Sequence, residues 1–476
     1  MHDLTWFRQT FKGDIVTPTD EGYQQAIVRW ALNAIRRARI VAYVRDAQDV
    51  STALQYAKAN GLKIAIHCGG HSPNGASSIE DGLVIDLARY LSGVRVDPER
   101  RLAYVGGGAK WSAVNKATME HGLAMTGGTV GHTGVAGLTL GGGWGWLSPM
   151  HGLTVDHLVA ATVVPADGAV RTASNSENAD LFWGIRGGGC NFGIVTEFVF
   201  KLHPQQRTVF GGPMIFGAEK LESITDAIEA WFPTAGPREA LHAYLGRAMD
   251  GTPAVTLMMF YNGSEAEARE AFKDFENLDP MSDRRASMPY EGFNSRLDKW
   301  AGPGKCNWTR GVVVDRAKKV MTREIFDRIV ELSDPARPFR VSLCFEYMSQ
   351  GKVNSVPSDE TAYARNRPGL GNGIAFINWN GRKPELEGEA RHILEEVTGM
   401  VHVNGLRYGN YGADTEASKD SDRRKRAQEL YRENYPRLQE LKRQYDPEMI
   451  FDKWFVIHPA APTNGERKDG NGSNRS

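Results

Sequence analysis

The first third of the chain alternates short apolar runs with amphipathic stretches. Residues 40–44 and 62–66 are apolar runs of strand length, and residues 50–60 between them carry apolar positions at helical spacing. Asp46 is a suitable N-cap for this helix, and Gly61 follows it where a left-handed residue is expected. The pattern predicts a βαβ unit, in which the loop after a strand is where ligands bind.

Similar patterns predict the elements that follow. We expect strands at 82–87 and 102–105, a helix at 111–120 ended by His121-Gly122, a hairpin-like strand pair at 158–164 and 170–172, and a short helix at 179–185. Beyond Pro204 glycine becomes rarer, and mixed strands and amphipathic helices continue to about residue 403. One charged amphipathic helix is predicted at 420–445, ended by Asp446-Pro447. The polar tail 461–476 is expected to be disordered.

Composition excludes several classes of function. The 57 basic and 57 acidic residues balance, which argues against nucleic-acid or membrane-surface binding. No apolar run reaches the roughly 18 residues of a membrane span, and the N-terminal residues lack a basic start followed by an apolar region. We therefore expect a cytoplasmic protein, or a secreted one if a signal peptide has been removed.

Cysteine usage argues against a metal centre. The four cysteines lie far apart and show no CxxC spacing: Cys68, Cys190, Cys306 and Cys344. Zinc sites and disulfide frameworks need closer or paired spacings, so we expect free thiols and no metal.

Glycine is the compositional outlier, with 52 residues, and much of the excess lies in two loops. Residues 68–75 read CGGHSPNG and follow the second predicted strand, and residues 127–145 are half glycine without helical or strand periodicity. The phosphate-loop pattern GxxxxGK[ST] is absent, and no GxGxxG lies at a strand-to-helix turn. Backbone N–H groups of 69–75 can still form an anion-binding nest. On residue types alone, a ligand loop and a plain tight turn both remain open, and His71 alone is typical of a hydrogen-bonded turn histidine.

A pair of tyrosines near the C-terminal end is the second candidate. Residues 408–411 read YGNY, preceded by Arg407. A tyrosine can act as a base if cations or hydrogen bonds lower its pKa from about 10. In an extended strand Tyr408 and Tyr411 face opposite ways, so a shared site requires an irregular backbone. Without that irregularity, the pair is typical of packed sheet residues.

The order of these motifs resembles that of a known family. GGHS after the βαβ start, GGTVGHTGVAGLTLGGGWGWLSPMHGL, DGAVRTAS with DLFWGIRGGGCNFGIVTEF, YGNY and NYPRLQELKRQYDP occur in register from about residue 40 to 459. Together they are similar to the berberine-bridge-enzyme-like flavoproteins of the vanillyl-alcohol-oxidase or p-cresol-methylhydroxylase superfamily. Five collinear motifs make the resemblance specific.

The resemblance implies an α+β fold and a domain plan. A two-subdomain FAD-binding domain of the p-cresol-methylhydroxylase type would be formed by residues 1–205 together with a returning C-terminal segment, 404–460. A substrate domain built on an antiparallel sheet, 206–403, would be inserted between them.

The resemblance also implies how FAD is held. His71 matches the histidine that is joined to the 8α-methyl of the flavin. Val130 stands where many relatives carry a second, cysteinyl link, so we expect one covalent bond at His71 and no cysteinyl link. Further residues matched to the cofactor site are Gly69, Gly70, Ser72, Asn74, Gly75, Gly128, Thr129, His132, Thr133, Gly137, Leu138, Gly142, Gly143, Val195, Asn410 and Asn434.

The implied chemistry is oxidation by FAD. Tyr411 matches the catalytic base, and Tyr408 with Asn410 would orient substrate and flavin. We expect an oxidase that moves hydride from an alcohol or amine-type carbon of a small molecule to flavin N5, with dioxygen returning the flavin to its oxidised form as hydrogen peroxide forms. Thr133 replaces a valine common in the oxidases, so a dehydrogenase or oxidative cyclase with another electron acceptor is the alternative. A flavin-holding module without turnover is the third hypothesis.

Overall fold

The computed structural model describes residues 3–314, 316–365, 371–401, 408–412 and 420–461. Its strands are β1 (Asp14–Val16), β2 (Ile40–Tyr43), β3 (Ile64–His67), β4 (Leu83–Asp86), β5 (Val94–Asp97), β6 (Leu102–Gly106), β7 (Leu123–Ala124), β8 (Leu158–Val164), β9 (Arg171–Ser174), β10 (Ile194–Lys201), β11 (His203–Pro204), β12 (Thr208–Gly217), β13 (Glu239–Arg247), β14 (Pro253–Tyr261), β15 (Ser282–Asp283), β16 (Ala286–Pro289), β17 (Cys306–Val314), β18 (Phe339–Met348) and β19 (Gly371–Trp379).

Helices alternate with these strands along the chain. They are α1 (Leu4–Thr10), α2 (Tyr23–Ala26), α3 (Ala47–Ala59), α4 (Trp111–Met119), α5 (Val135–Leu140), α6 (Ser148–His151), α7 (Ala179–Ile185), α8 (Leu221–Trp231), α9 (Glu265–Ala271), α10 (Lys273–Glu276), α11 (Tyr290–Phe293), α12 (Ala317–Val320), α13 (Arg323–Leu332), α14 (Gly351–Asn354), α15 (Pro384–Val401), α16 (Asp420–Tyr431) and α17 (Tyr435–Tyr445). Among the described residues, no helix has both the length and the apolar character to cross a membrane.

The first sheet contains the predicted βαβ unit and has the strand order β1-β2-β4-β3. The predicted helix is confirmed: the Asp46 side chain accepts the N–H of Asp49 at 2.9 Å, and Gly61 adopts a positive φ of 61° after it. β2 and β3 are not adjacent, because β4 lies between them and pairs in parallel with both. The carboxyl end of β3 leads directly into the GGHS loop.

The second sheet is antiparallel, with the order β5-β6-β10-β8-β9. It confirms the predicted pair at 158–164 and 170–172, which is formed by β8 and β9. The hydrophobic core on this sheet includes Leu430, Tyr431, Leu438 and Ile457 from the C-terminal segment. The second sheet, from the N-terminal half of the chain, and the C-terminal segment therefore share one hydrophobic core.

The third sheet is larger and antiparallel. Its order is β15-β12-β14-β13-β18-β19-β17, with β16 also paired to β12. It begins at Thr208 and ends at Trp379, and α8, α13 and α15 pack on one face through apolar residues. The α+β class with an antiparallel sheet in the middle of the chain is thus present, and the domain boundaries of 206–403 stay a prediction.

The predicted single helix at 420–445 is wrong in one respect. The chain forms α16 and α17 with a 3₁₀ turn at Arg432–Asn434 between them. Arg432 has a positive φ of 49°, and Pro436 lies in the first turn of α17, where its missing N–H costs no hydrogen bond. The amphipathic pattern continued across this break and hid it. The predicted stop at Asp446 is confirmed.

Candidate active site

The two glycine loops pack directly against each other. A Cβ on Gly69 would stand 2.3 Å from the backbone nitrogen of Gly134, and a Cβ on Gly134 would stand 2.5 Å from that of Gly69. No side chain fits at either position, because real Cβ atoms do not approach backbone so closely. Glycine is therefore required here for backbone contact, which brings the GGHS loop and residues 127–145 to one place.

The YGNY segment joins both loops. Asn74 donates from its side chain to the carbonyl of Gly412 at 3.2 Å, and Asn410 donates to the carbonyl of Leu138 at 3.0 Å. The backbone N–H of Gly143 donates to the Tyr408 hydroxyl oxygen at 3.2 Å. Three segments that are far apart in the sequence thus form one site.

The backbone irregularity that the tyrosine pair requires is a 3₁₀ turn, Gly409–Tyr411. In such a turn residues i and i+3 lie on the same side. The rings of Tyr408 and Tyr411 accordingly meet edge to face, with centroids 4.8 Å apart.

His71 lies between two rings. Trp30 stacks on it at a centroid distance of 4.3 Å, and His132 lies on it at 4.9 Å. His71 Nε2 and His132 Nδ1 are 3.1 Å apart, which is hydrogen-bonding distance. Burial, with a smaller contribution from His132, lowers the pKa of His71 to about 3, so its imidazole is neutral at physiological pH.

His67 supports the turn that carries His71. Its Nδ1 lies 2.5 Å from the Asp86 carboxylate at the end of β4, and its Nε2 lies 2.7 Å from where a Cβ of Gly70 would stand. Gly70 has a positive φ of 63°. The imidazole therefore fills the space under the turn and leaves no room for a Cβ at position 70. The positive φ at this position also favours glycine.

The Tyr408 hydroxyl oxygen is held by three donors. They are the backbone N–H groups of Gly143 and Trp144, each at 3.2 Å, and the side-chain amide of Asn410 at 2.9 Å. Burial raises the pKa of Tyr408, although the bonds from Asn410 and Trp144 oppose this. Tyr408 is thus a fixed, neutral anchor for the 3₁₀ turn.

Tyr411 makes a different contact, to a residue of the third sheet. Its hydroxyl donates to Glu346 Oε1 at 2.5 Å; Glu346 is buried and Tyr411 is half-buried. Burial, and next the Glu346 charge, raise the pKa of Tyr411 well above its usual value. Arg407, the cation that precedes the tyrosine pair in the sequence, lies outside the described residues. Burial also raises the pKa of Glu346 to about 7, so the carboxylate is the better proton acceptor near neutral pH.

Glu346 and its neighbour His242 were not predicted from the sequence. They lie directly opposite each other in the register of β18 and β13, with Nε2 and Oε1 3.7 Å apart. Burial lowers the pKa of His242 to about 3, so it is neutral, and Trp146 stacks on its ring at 4.2 Å. His242 Nε2 and Glu346 Oε2 are buried without hydrogen-bond partners among the described residues. Both strands also carry other polar residues, so no signal in the sequence distinguished His242 and Glu346.

Unpartnered polar atoms also lie in and next to the glycine loops. The buried side-chain atoms without a hydrogen-bond partner in the described part of the chain include five at this place: Asn74 Oδ1, Ser77 Oγ, Ser78 Oγ, His132 Nε2 and Thr139 Oγ1. Folded proteins leave few such atoms unpaired, so their concentration indicates a polar ligand. A Cβ on Gly137 would meet nothing within 4 Å, which leaves open space beside α5. Hydroxyl, amide and imidazole groups around an open space fit a dinucleotide such as FAD.

The other predicted cofactor residues lie mostly in the same loops. Gly75, Gly142 and Gly143 have positive φ values of 80°, 111° and 86°. Ser72 accepts the N–H of Gly75 through its carbonyl at 3.4 Å, and Thr133 donates its N–H to Val130 at 3.2 Å. Gly128 is buried against Trp111 and Leu138, and Thr129 is half-buried.

Two predicted residues lie elsewhere. Asn434 donates its side-chain amide to the carbonyls of Ser358, Thr361 and Ala362, at 3.2 to 3.4 Å. This amide therefore joins the C-terminal segment to the 358–362 loop, and its contact with the flavin stays a prediction. Val195 is buried in β10 and packs in the core of the second sheet.

Family models match two parts of the chain. Residues 38–174 match the FAD binding domain, and residues 407–453 match the domain described as berberine and berberine like. The first range contains both glycine loops, and the second contains the YGNY segment and the C-terminal helices.

Individual relatives match nearly the whole length. The FAD-linked oxidoreductase pgmH of Aspergillus terreus is 33% identical, with 96% of each chain covered. The (R)-6-hydroxynicotine oxidase of Paenarthrobacter nicotinovorans is 28% identical, with 94% of this chain and 97% of the relative covered.

Solved structures share the fold. The crystal structure of 6-hydroxy-D-nicotine oxidase from Arthrobacter nicotinovorans superposes with a TM-score of 0.81 at 28% identity, covering 94% of this chain and 98% of that one. Xylooligosaccharide oxidase from Myceliophthora thermophila has the same fold, with a TM-score of 0.81 at 23% identity over 96% and 99% of the two chains. The chain belongs to the berberine-bridge-enzyme-like FAD-linked oxidoreductases and has a p-cresol-methylhydroxylase-type FAD-binding fold.

Proposed function

We propose that the protein is an FAD-dependent oxidase of a small organic molecule. It would take hydride from an alcohol or amine-type carbon of the substrate, with dioxygen as the final acceptor and hydrogen peroxide as the product. Bound FAD supplies the electron-accepting chemistry. The observation that carries the proposal is the hydrogen bond of 2.5 Å from Tyr411 to the buried Glu346, beside the two glycine loops.

Oxidation of an alcohol or amine requires a group that removes the O–H or N–H proton as the C–H bond weakens. Tyr411 can accept this proton from the substrate while it passes its own proton to Glu346. A high tyrosine pKa is no obstacle to this relay, because the tyrosine never has to remain ionised. The Glu346 carboxylate, with a pKa of about 7, is the group that keeps the proton.

The surrounding residues hold the Tyr411–Glu346 pair in position and shield it from water. Tyr408 fixes the 3₁₀ turn through its three donors, and Asn410 connects that turn to Leu138 of the glycine segment. His242 and Trp146 pack beside Glu346, where the two unpartnered polar atoms of His242 and Glu346 are suited to bind the polar group of a substrate. Burial strengthens each of these polar contacts.

The proposal includes a covalent bond from His71 to the flavin. In support, the imidazole is neutral and therefore nucleophilic, and the stacked Trp30 fixes its orientation. Val130, at the position of the second link in relatives, has no nucleophilic atom. A single tether at His71 would fix the ring system and raise its reduction potential.

The decisive experiment does not need the natural substrate. The holoenzyme is reduced chemically without oxygen and then mixed either with aerated buffer or with an artificial quinone under nitrogen. An oxidase regains the absorbance of oxidised flavin in air and forms one peroxide per flavin. Recovery with the quinone alone would favour the dehydrogenase alternative, which rests on Thr133 standing where the oxidases often carry valine.

Turnover itself is tested by peroxide release with a panel of probes: a benzylic alcohol, a disaccharide and a cyclic secondary amine. Peroxide with one class identifies the type of carbon oxidised. A flavin that stays oxidised with every probe, under nitrogen as well, would favour the flavin-holding module instead.

A further inference from the structure

Three histidines outside the proposed site meet where the FAD-binding part of the chain joins the third sheet. His151 ends α6, His157 ends the 3₁₀ turn that follows, and His203 lies in β11, which leads into β12. The rings of His151 and His203 stack in parallel, with centroids 4.2 Å apart and planes inclined by 8°. His157 meets the His203 ring edge to face at 5.1 Å. We call His151, His157 and His203 the histidine cluster.

A chain of hydrogen bonds fixes the protons of two of these rings. The Thr126 hydroxyl donates to the carbonyl of Gly152 at 2.9 Å, so its oxygen accepts the N–H of His157 Nε2 at 3.2 Å. Neutral His157 then has a lone pair on Nδ1, which accepts the N–H of His203 Nε2 at 3.2 Å. The chain requires a neutral His157, because a second proton on this ring would place two N–H groups against each other.

His151 completes the cluster and has an unpaired nitrogen. Its Nε2 is buried and has no hydrogen-bond partner in the part of the chain that the structure describes. A second proton on this ring would leave a buried N–H without an acceptor, and the charge would lie against the parallel ring of His203. Both effects oppose protonation of His151 while the cluster is closed.

The surroundings of the cluster also disfavour a positive charge. Burial, and next the ring of His203, lower the pKa of His151 to about 4, and burial lowers the pKa of His157 well below 6.5. The charged side chains that act on the cluster from α14, β10 and the turn before β6 are cations: Lys352, Lys201 and Arg101. Asp156, the carboxylate next to His157 in the chain, is bound to Arg365 instead.

The cluster lies at a junction of several segments. Segment 148–157, which contains α6 and the 3₁₀ turn, packs on α14 through α6. Its Met150 sulfur accepts the side-chain amide of Asn262, at the end of β14, at 3.0 Å. Asn262 also exchanges two side-chain hydrogen bonds with Gln205, just after β11, at 2.6 and 3.3 Å. Segment 148–157 is therefore joined to the third sheet beside the histidine cluster.

The same segment supports the candidate active site. The N–H groups of Thr154 and Val155 donate to the carbonyls of Gly143 and Gly142, at 2.9 and 3.0 Å. The N–H of Gly143 in turn donates to the Tyr408 hydroxyl oxygen at 3.2 Å. Movement of the segment would therefore disturb the anchor of the YGNY turn.

We propose that the histidine cluster is an acid-sensitive latch: protonation opens the contacts of segment 148–157 with α14 and with the chain around β11, while the rest of the fold stays closed. Opening brings each imidazole into water, where its pKa returns to about 6.5 and it can hold a proton. The contacts form again when the pH returns to neutral. The inference goes beyond the proposed oxidation and does not depend on the substrate.

Amide hydrogen exchange of the full-length, FAD-loaded protein tests the latch, with mass spectrometry of its peptides as the readout. Wild type and His151→Phe are compared at the same pH, so that the intrinsic exchange rates cancel. Phenylalanine keeps a flat ring on His203 but cannot take up a proton. His121→Asn is the matched control, because His121 is an exposed histidine outside the cluster.

The expected size follows from the two pKa values of His151. At pH 5.5, a shift from about 6.5 in the open state to about 4 in the closed state favours opening by about 10-fold. Exchange in peptides from 148–157 should therefore be about 10-fold slower in H151F than in the wild type at pH 5.5, and equal at pH 7.5. H121N should match the wild type at both pH values. Peptides from α3 should show no difference among the three proteins, which separates local from global opening.

Three results would overturn the proposal. They are equal exchange of 148–157 in wild type and H151F at pH 5.5, a difference that appears equally in α3, and a wild type that does not recover its protection at pH 7.5. If H151F yields no folded protein, His203→Asn decides by the same criteria, because its amide keeps a donor for His157 and takes up no proton. Loss of peroxide formation alone would concern the oxidase and leave these readouts unchanged.

Discussion

Replacing Glu346 by glutamine tests the proton relay most sharply. Glutamine keeps the volume and a carbonyl oxygen for the Tyr411 hydroxyl, but it cannot take up a proton. Because general-base groups contribute about 10² to 10⁴-fold, we expect kcat of E346Q to fall by at least about 100-fold with the most active panel probe. FAD content should be unchanged, since Glu346 binds Tyr411 and lies opposite His242 rather than in the glycine loops.

The pH dependence follows from the same carboxyl group. Glu346 must be ionised to accept a proton, and its pKa is about 7. Wild-type kcat should therefore rise as the pH passes about 7 and level off above it. E346Q should lack this limb, because the amide does not titrate.

The unfolding free energy of the wild type should change in the opposite direction to kcat as the pH rises. The pKa of Glu346 in the folded protein, about 7, lies above the unfolded value of 4.5, so its contribution to stability is complete below pH 4.5 and is lost as the pH rises through 7. A difference from 4.5 to about 7 corresponds to about 3 kcal/mol. Relative to wild type, the unfolding free energy of E346Q should thus rise by about 3 kcal/mol from acid to mildly alkaline buffer.

Urea unfolding of the holoenzyme at the two pH values measures this difference, and the exposed Glu99→Gln serves as a matched control with no expected change. Two results would refute the reasoning. One is an E346Q variant with wild-type kcat and the same pH limb. The other is a stability difference that does not depend on pH.

Three further predictions concern residues that support the fold in and around the site. Tyr408→Phe removes the acceptor of three buried donors and should destabilise the holoenzyme by about 1 to 3 kcal/mol, measured by thermal unfolding. Gly69→Ala would place a Cβ 2.3 Å from the Gly134 nitrogen, so purified protein should contain little FAD, measured by its visible spectrum. Burial lowers the pKa of His157 well below its usual value of 6.5, so folding stability should fall as the pH drops below 6.5, and His157→Asn should reduce that loss in acid urea titrations.

Each of these has a simple contradicting result. Gly399→Ala, on α15 with nothing within 4 Å of the new Cβ, is the control for Gly69, and equal FAD content in both variants would refute the backbone-contact argument. Wild-type stability of Y408F would show that the three donors find other acceptors. An acid profile of H157N identical to wild type would show that this histidine does not control the loss.

Local signals in the sequence were sufficient for elements with clear ends. α3 begins after the Asp46 cap and stops before Gly61 because these residues satisfy the end groups of the helix whatever lies around them. α7 coincides with the predicted 179–185. The 420–445 helix was predicted unbroken because its charge pattern continues across Arg432, while Pro436 is as compatible with a new first turn as with a kink.

Only part of the candidate site could be predicted from the sequence. His71 and Tyr411 lie in motifs that carry the family resemblance, so the sequence alone was enough to predict them as site residues. Glu346 and His242 lie 104 residues apart by number, and only the register of β13 with β18 places them together. Long-range strand pairing depends on the whole sheet, so a single sequence cannot specify it. The same reason hid the contact between His71 and His132.

The central claim is that FAD is held at His71 in the site formed by the glycine loops and the YGNY turn. The most direct measurement is acid precipitation of the purified wild type and of His71→Ala, followed by mass spectrometry of the precipitated chain and of its peptides. We predict that the wild-type chain carries the mass of one FAD on the peptide containing His71, and that H71A releases its flavin into the supernatant. Free flavin from the wild type, or FAD on another residue, would contradict the account.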